Sequence, residues 1–145
     1  MPIGSMYEMP GHLIRRAHQI SGAIFTARLA GFDITSVQYA AMVAIASQPG
    51  IDATRLSDLI AFDRATLGGV LDRLEAKGLI ARQPSRQDRR IKTIALTSDG
   101  NALLDTVEGL VLAAQAEMLQ PLSETERAQF IALLKKFVGR PSDED

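Results

Sequence analysis

Cysteine is absent from the 145 residues, and that absence excludes disulfides, thiolate metal sites and a thiol redox sensor. Histidine is scarce: His12 and His18 stand six residues apart, whereas a helical zinc pair needs a spacing of three or four, so no metal site is expected. No apolar run approaches the roughly 18–20 residues of a membrane helix, and no membrane partner is expected. The opening stretch, Met1 to Ser5, lacks the basic and then apolar regions of a secretory signal, which leaves a cytoplasmic location as the expectation. Catalytic machinery is missing as well: there is no nucleophile elbow, no phosphate-cradling loop and no metal-ligand cluster. The sequence predicts neither an enzyme nor a cofactor.

What is present is a chain 46% apolar and 23% charged, long enough for one domain with a core of its own. The net charge is only −1, but its distribution is uneven. Arg82, Arg86, Arg89, Arg90 and Lys92 face a single acid, Asp88, within eleven residues. Such a local excess is either the footprint of a polyanion or an ordinary solvated loop.

Apolar periodicity predicts a helix from about Pro10 to Leu29, carrying Leu13, Ala17, Ile20 and Ile24. Thr35 and Gln38 have the spacing of a capping box and open a helix to about Ala46, which Pro49-Gly50 ends. Asp52 caps a short helix, about Ala53 to Ile60; after a turn at Ala61-Phe62, Asp63 caps another, about Arg64 to Lys77. Gly78 sits where a left-handed residue closes a helix. The tight turn between these last two makes a helix-turn-helix. The period then changes: Leu79 to Arg82 and Ile91 to Leu96 read as strands joined by a basic, proline-marked tip, a β-hairpin. A long helix from about Asp99 to Leu119 follows, stopped by Pro121. A second capping box, Ser123 with Glu126, opens a last helix closed by Gly139 and Pro141, before an acidic tail at Ser142 to Asp145. The predicted order is four helices, a hairpin and two helices: mainly α with a small β-hairpin wing, a winged helix-turn-helix.

Several segments resemble the MarR family. They are Leu74-Glu75-Ala76-Lys77-Gly78-Leu79-Ile80, then Asp88-Arg89-Arg90, then Leu96-Thr97-Ser98-Asp99-Gly100, at the family's spacing and within a likeness that spans about His12 to Val138. The stretch Pro10 to Gln19 is similar to the members that govern breakdown of aromatic acids or their thioesters. The resemblance implies a single domain, with dimerisation helices at about 10–34 and 99–139 and a DNA-binding lobe at about 35–97. It also implies a homodimer on a pseudo-palindromic double-stranded operator, and a small effector, an aromatic acid or acyl-CoA thioester, that releases the DNA. The alternative is a winged-helix architectural or protein-interaction module with no small-molecule input.

On this reading the recognition helix offers Arg64, Ala65, Thr66, Leu67 and Gly68 to base edges in the major groove. Gly68-Gly69 costs helix stability, which either close approach to DNA or packing against another helix would explain. Arg73 has two readings, a phosphate contact or a surface pair with Asp72; Arg55 and Ser57 are phosphate contacts or plain surface. In the wing, the resemblance makes Asp88 an anchor for an arginine and Arg90 the residue entering the minor groove, with Arg86, Arg89 and Lys92 on phosphates. The effector is expected between the dimer helices and the lobe, with His12, Arg16, Gln38 and Tyr39 as its candidate partners; interface or solvated contacts are the alternative for each. Arg15 and Arg16 lie about 100° apart on their helix, so one at most faces inward, and Arg16 shares a face with His12.

Overall fold

Capping chemistry fixes most helix starts. The computed structural model describes residues 2–60 and 62–139, and within them α1 (Ile3–Met6) is followed by α2 (Pro10–Arg28) and α3 (Ser36–Ser47). Both halves of the α3 capping box form: Thr35 Oγ1 accepts from the Gln38 N–H at 3.1 Å, and Gln38 Oε1 accepts from the Thr35 N–H at 3.2 Å. β1 (Ile51–Asp52), α4 (Ala53–Ile60) and α5 (Arg64–Ala76) come next, then β2 (Ile80–Pro84), β3 (Lys92–Leu96), α6 (Ser98–Met118) and α7 (Glu124–Val138). Ser123 and Glu126 complete the second predicted box at the start of α7. Gly78 carries φ of 74°, a left-handed turn that a side chain at this position would strain, and it redirects the chain from α5 into β2.

Two elements were not expected. α1 is one turn long and carries no apolar period. β1 turns the predicted hairpin into a three-stranded antiparallel sheet of order β1-β3-β2, with Ile51 opposite Ile94 on one side and Arg82 opposite Ile94 on the other. The Ala61 half of the expected interhelix turn, Pro141 and the acidic tail lie outside the described residues.

The chain divides into two compact units. One is Phe25–Val111, and the other joins the described parts of Met1–Ile24 and Leu112–Asp145, so that α2 and α6 each contribute to both. The core of Phe25–Val111 forms where α3 packs on α4, α5 and β3. Leu29, Met42, Ile45, Leu56, Leu67, Leu71, Leu74, Ile94 and Val107 are its fully buried large side chains. Removing any of these from water contributes roughly 1.5–3 kcal/mol, which is why so small a lobe holds its shape.

Three motif positions, Gly78, Thr97 and Gly100, seat α6 on the base of the wing. Thr97 N–H donates to Leu79 O at 3.0 Å, Thr97 Oγ1 donates to Gly78 O at 2.7 Å and accepts from the Gly100 N–H at 3.1 Å. Gly100 is buried, and a Cβ placed on it would lie 2.2 Å from Leu79 O. Only a residue without a side chain lets the helix start this close to the strand.

In the terminal unit the helices keep their apolar residues on the outside. Leu13, Ile20, Leu112, Leu133, Phe137 and Val138 are all exposed, and α7 buries nothing. Arg127 Nε closes the end of α6 by donating to Leu119 O and Leu122 O, each at 3.0 Å.

Candidate nucleic-acid interface

The helix-turn-helix is pinned by its own polar side chains. Asp52 Oδ1 accepts from the Arg55 N–H at 2.9 Å and starts α4. The Ser57 hydroxyl donates to Phe62 O and ties down the turn. Asp63 accepts from both the backbone N–H and the hydroxyl of Thr66, each at 2.8 Å. These bonds, the backbone one first, hold the Asp63 carboxyl below its ordinary value. The first turn of α5 therefore presents Arg64, Ala65 and Thr66 to solvent in a fixed pose.

Two of the residues assigned to DNA are corrected. Leu67 is wholly buried and belongs to the core, because it sits about 100° round the helix from exposed Thr66. Ser57 is buried with its hydroxyl committed to Phe62, so it does not face a phosphate. Arg55 and Arg73 are exposed. The Arg73–Asp72 pair, one of the two readings of Arg73, gives way to a different one: Asp72 Oδ1 accepts from Arg82 Nη2 at 2.7 Å.

Gly68 and Gly69 do not pack against another helix. A Cβ on Gly68 would meet nothing within 4 Å, and one on Gly69 would meet only the flexible end of Arg73, at 3.6 Å. Nothing inside the described residues requires glycine at either position.

Arg82 leaves the basic footprint to which its position in sequence assigns it. Besides Asp72 it binds Glu75, with Nε and Nη2 each 3.1 Å from a carboxylate oxygen. The Glu75 hydrogen bond and then that of Asp72 make Arg82 hold its proton more firmly, while Arg82 holds Glu75 below its ordinary value. One guanidinium thus joins the recognition helix to the first strand of the wing.

At the wing tip Asp88 and Arg90 form the expected anchor. Arg90 Nε and Nη2 donate to the two Asp88 oxygens at 3.1 Å each, and the Arg90 N–H adds a third bond at 3.1 Å. The side-chain bonds first, then the backbone one, hold the Asp88 carboxyl below its ordinary value. The Arg90 side chain is nevertheless 90% exposed, and Nη1 is left free of Asp88. Arg86, Arg89 and Lys92 are exposed beside it. Arg64 from α5 and Arg90 and Lys92 from the wing edge a common cleft of about 420 Å³. Cations from two elements thereby converge on one surface, as a polyanion requires.

The candidate effector residues do not share one pocket. His12 and Arg16 border an apolar depression of about 350 Å³ in the terminal unit, with Leu13, Ala17, Ile20 and a residue the sequence reading missed, Tyr7. Tyr7 lies before the first periodic stretch, and no pattern marked it. Tyr39 lines a separate hollow of about 220 Å³ with Val43 and Leu104, its ring 6.1 Å from that of Phe25. Gln38 lines neither of these. It is buried, and its Oε1 is taken by the Thr35 N–H and by Lys77 Nζ at 3.0 Å, so its role is to hold α3 and the end of α5 in place.

Residues 34–92 match the MarR family. Over 138 residues the chain is 32% identical to the HTH-type transcriptional repressor NicR of Pseudomonas putida KT2440, covering 95% of this chain and 86% of that one. Among solved structures it is similar to Bordetella bronchiseptica BpsR, whose DNA binding is regulated by 6-hydroxynicotinic acid, at 31% identity and a TM-score of 0.86 over 95% of this chain and 96% of that one. It is also similar to the PcaV transcriptional regulator of Streptomyces coelicolor in complex with its natural ligand, at 27% identity and a TM-score of 0.88 over 97% and 99% of the two chains.

Proposed function

The chain belongs to the MarR family, and from that premise we propose that it is a dimeric repressor which an aromatic acid or its thioester releases from a pseudo-palindromic operator. The observation that carries the DNA half is the pairing of an exposed, Asp88-held Arg90 with the exposed first turn of α5 around one basic cleft. Arg64 and Thr66 read base edges in the major groove, Arg90 enters the adjacent minor groove, and Arg86, Arg89 and Lys92 supply salt-dependent phosphate contacts. The outward apolar residues of the terminal helices, about 10–34 and 99–139, suit burial against a second copy, since a surface this rich in leucine and phenylalanine is rarely left to water. No helix among the described residues is long and apolar enough to cross a membrane.

The effector half rests on similarity to NicR and BpsR and on Arg16 at the mouth of the apolar depression, where a guanidinium binds a carboxylate through two parallel hydrogen bonds. The test is fluorescence anisotropy on the DNA upstream of the coding region, titrated with 6-hydroxynicotinate, hydroxybenzoates and their CoA thioesters. At least one is expected to release the DNA. Arg16→Ala is expected to raise the concentration needed by roughly 10–100-fold, the loss of one charge-assisted pair, without changing affinity in the absence of ligand. If no ligand of this class acts on the complex or on the melting temperature, the protein is a DNA-binding module without such an input.

The unpacked glycines give a second test. Gly68→Ala is expected to stabilise the fold by about 0.5–1 kcal/mol, because alanine is the better helix former and a methyl there meets open space. The same methyl is expected to weaken operator binding several-fold by holding the helix away from the groove. A gain in Tm with unchanged affinity would remove Gly68 from the interface.

A further inference from the structure

The first turn of α5 carries a hydroxyl whose one proton is already committed. Thr66 Oγ1 lies 2.8 Å from Asp63 Oδ2, while Asp63 Oδ1 accepts from the Thr66 N–H at 2.8 Å. The Thr66 backbone bond first, and the hydroxyl bond next, hold the Asp63 carboxyl below its ordinary value. At neutral pH it is a carboxylate, which only accepts, so the proton between the two oxygens is the threonine's. Oγ1 keeps lone pairs to which no described residue donates. The side chain is exposed, and whatever meets it from outside meets an acceptor.

The surroundings keep that polarity in place. Asp63 is the N-cap of α5, so its carboxylate is tied to the helix through backbone and side chain together. Leu67, the next residue after Thr66, is wholly buried and seats this turn on the core. To donate outward, Thr66 would have to give up a charge-assisted bond, one of the stronger kinds a hydroxyl makes. The major groove sorts bases by this property. Adenine N6 and cytosine N4 donate there, whereas guanine O6 and N7 and thymine O4 accept. Arg64, a donor only, lies two residues before, and the same turn thus offers one group for each kind of edge.

We propose that Asp63 sets the hydrogen-bond polarity of Thr66, so that Thr66 accepts from the amino group of an adenine or cytosine and turns away a keto oxygen in the same place. The inference rests on the reading that the first turn of α5 meets base edges in the major groove. It adds which base chemistry Thr66 takes, and makes Asp63 the positioning residue behind that choice.

Anisotropy of the full-length protein on operator DNA substituted base by base tests it. Thr66→Val keeps the shape and removes the hydroxyl, so the base pair that Thr66 reads is the one whose preference flattens. Two deletions at that pair then separate the polarities: its amino group (purine for adenine, 2-pyrimidinone for cytosine) or its keto oxygen (2-aminopurine for guanine, 5-methyl-2-pyrimidinone for thymine). Loss of the amino group is expected to weaken the parent about tenfold more than it weakens Thr66→Val, and loss of the oxygen to affect both alike. Asp63→Asn keeps an oxygen for the Thr66 N–H and an equally good cap, but its amide donates to the hydroxyl and frees that proton. The amino-deletion penalty is expected to fall there to about threefold or less, whatever the lost charge does to all DNAs together. If the oxygen deletion is the costly one, or the amino penalty is unchanged in Asp63→Asn, the inference is overturned and α5 still reads the groove. It is overturned in the same way if Arg64→Ala flattens a position and Thr66→Val flattens none. If neither variant flattens any position, the reading that α5 meets base edges fails and takes this one with it.

Discussion

Arg90→Ala is expected to weaken operator binding by about two orders of magnitude, roughly 3 kcal/mol, and to flatten its salt dependence. The side chain is 90% exposed yet not free to wander, because Asp88 fixes it through both carboxylate oxygens. Prepositioning matters because an unrestrained arginine loses rotamer freedom when it enters a groove, about 1.5–2 kcal/mol for the whole side chain. The companion variant separates charge from pose. Asp88→Asn removes a negative charge near the phosphates while releasing Arg90, so scrambled DNA is expected to bind more tightly and the operator no better. Anisotropy on both DNAs at two salt concentrations measures this. Unchanged operator affinity in Arg90→Ala would remove the wing from the interface.

Gly100→Ala is expected to destabilise the protein by at least ~3 kcal/mol, an overpacking penalty at the upper end for one added methyl. The atom it strikes is a backbone oxygen rather than the end of a flexible chain: Leu79 O would lie 2.2 Å from the new Cβ, with Leu96 Cδ2 at 3.4 Å. Leu79 O is itself the acceptor of the Thr97 N–H, so relief by movement breaks the junction of wing and helix. Gly109→Ala is the control, in the same helix with nothing within 4 Å, and is expected to be neutral or mildly stabilising. Thermal melts of the two variants decide the point. Equal Tm values would mean that the backbone at Leu79 yields without cost.

Most helix boundaries after α1 are legible in the sequence because they carry their own local chemistry. Thr35 with Gln38, Asp63, Ser123 with Glu126, Gly78 and Gly139 act within a few residues of themselves, and all do what their spacing implies. What escapes is whatever depends on a distant partner. β1 has two residues, too few for a period, and exists only because β3 is there to pair with it. Arg82 counts as a basic residue until Asp72 and Glu75, on another element, prove to hold it. Leu67 and Ser57 were drawn into the DNA-facing set by their neighbours, and a helix turns about 100° between one residue and the next. The motif glycine at position 100 is visible in sequence, but the carbonyl that demands it is not.

Arg82 also bears on how the operator can change over time. A wing attached only through its strands would find the minor groove independently of the helix beside it. With Asp72 and Glu75 sharing one guanidinium from β2, helix and wing would, on the proposed reading, approach the duplex as the two jaws of a caliper set to one opening. A base pair inserted between the two proposed points of contact is then expected to weaken binding at one of them. On the proposed reading, the spacing between the two contacts is expected to be held as tightly as the bases that Arg64 and Thr66 read.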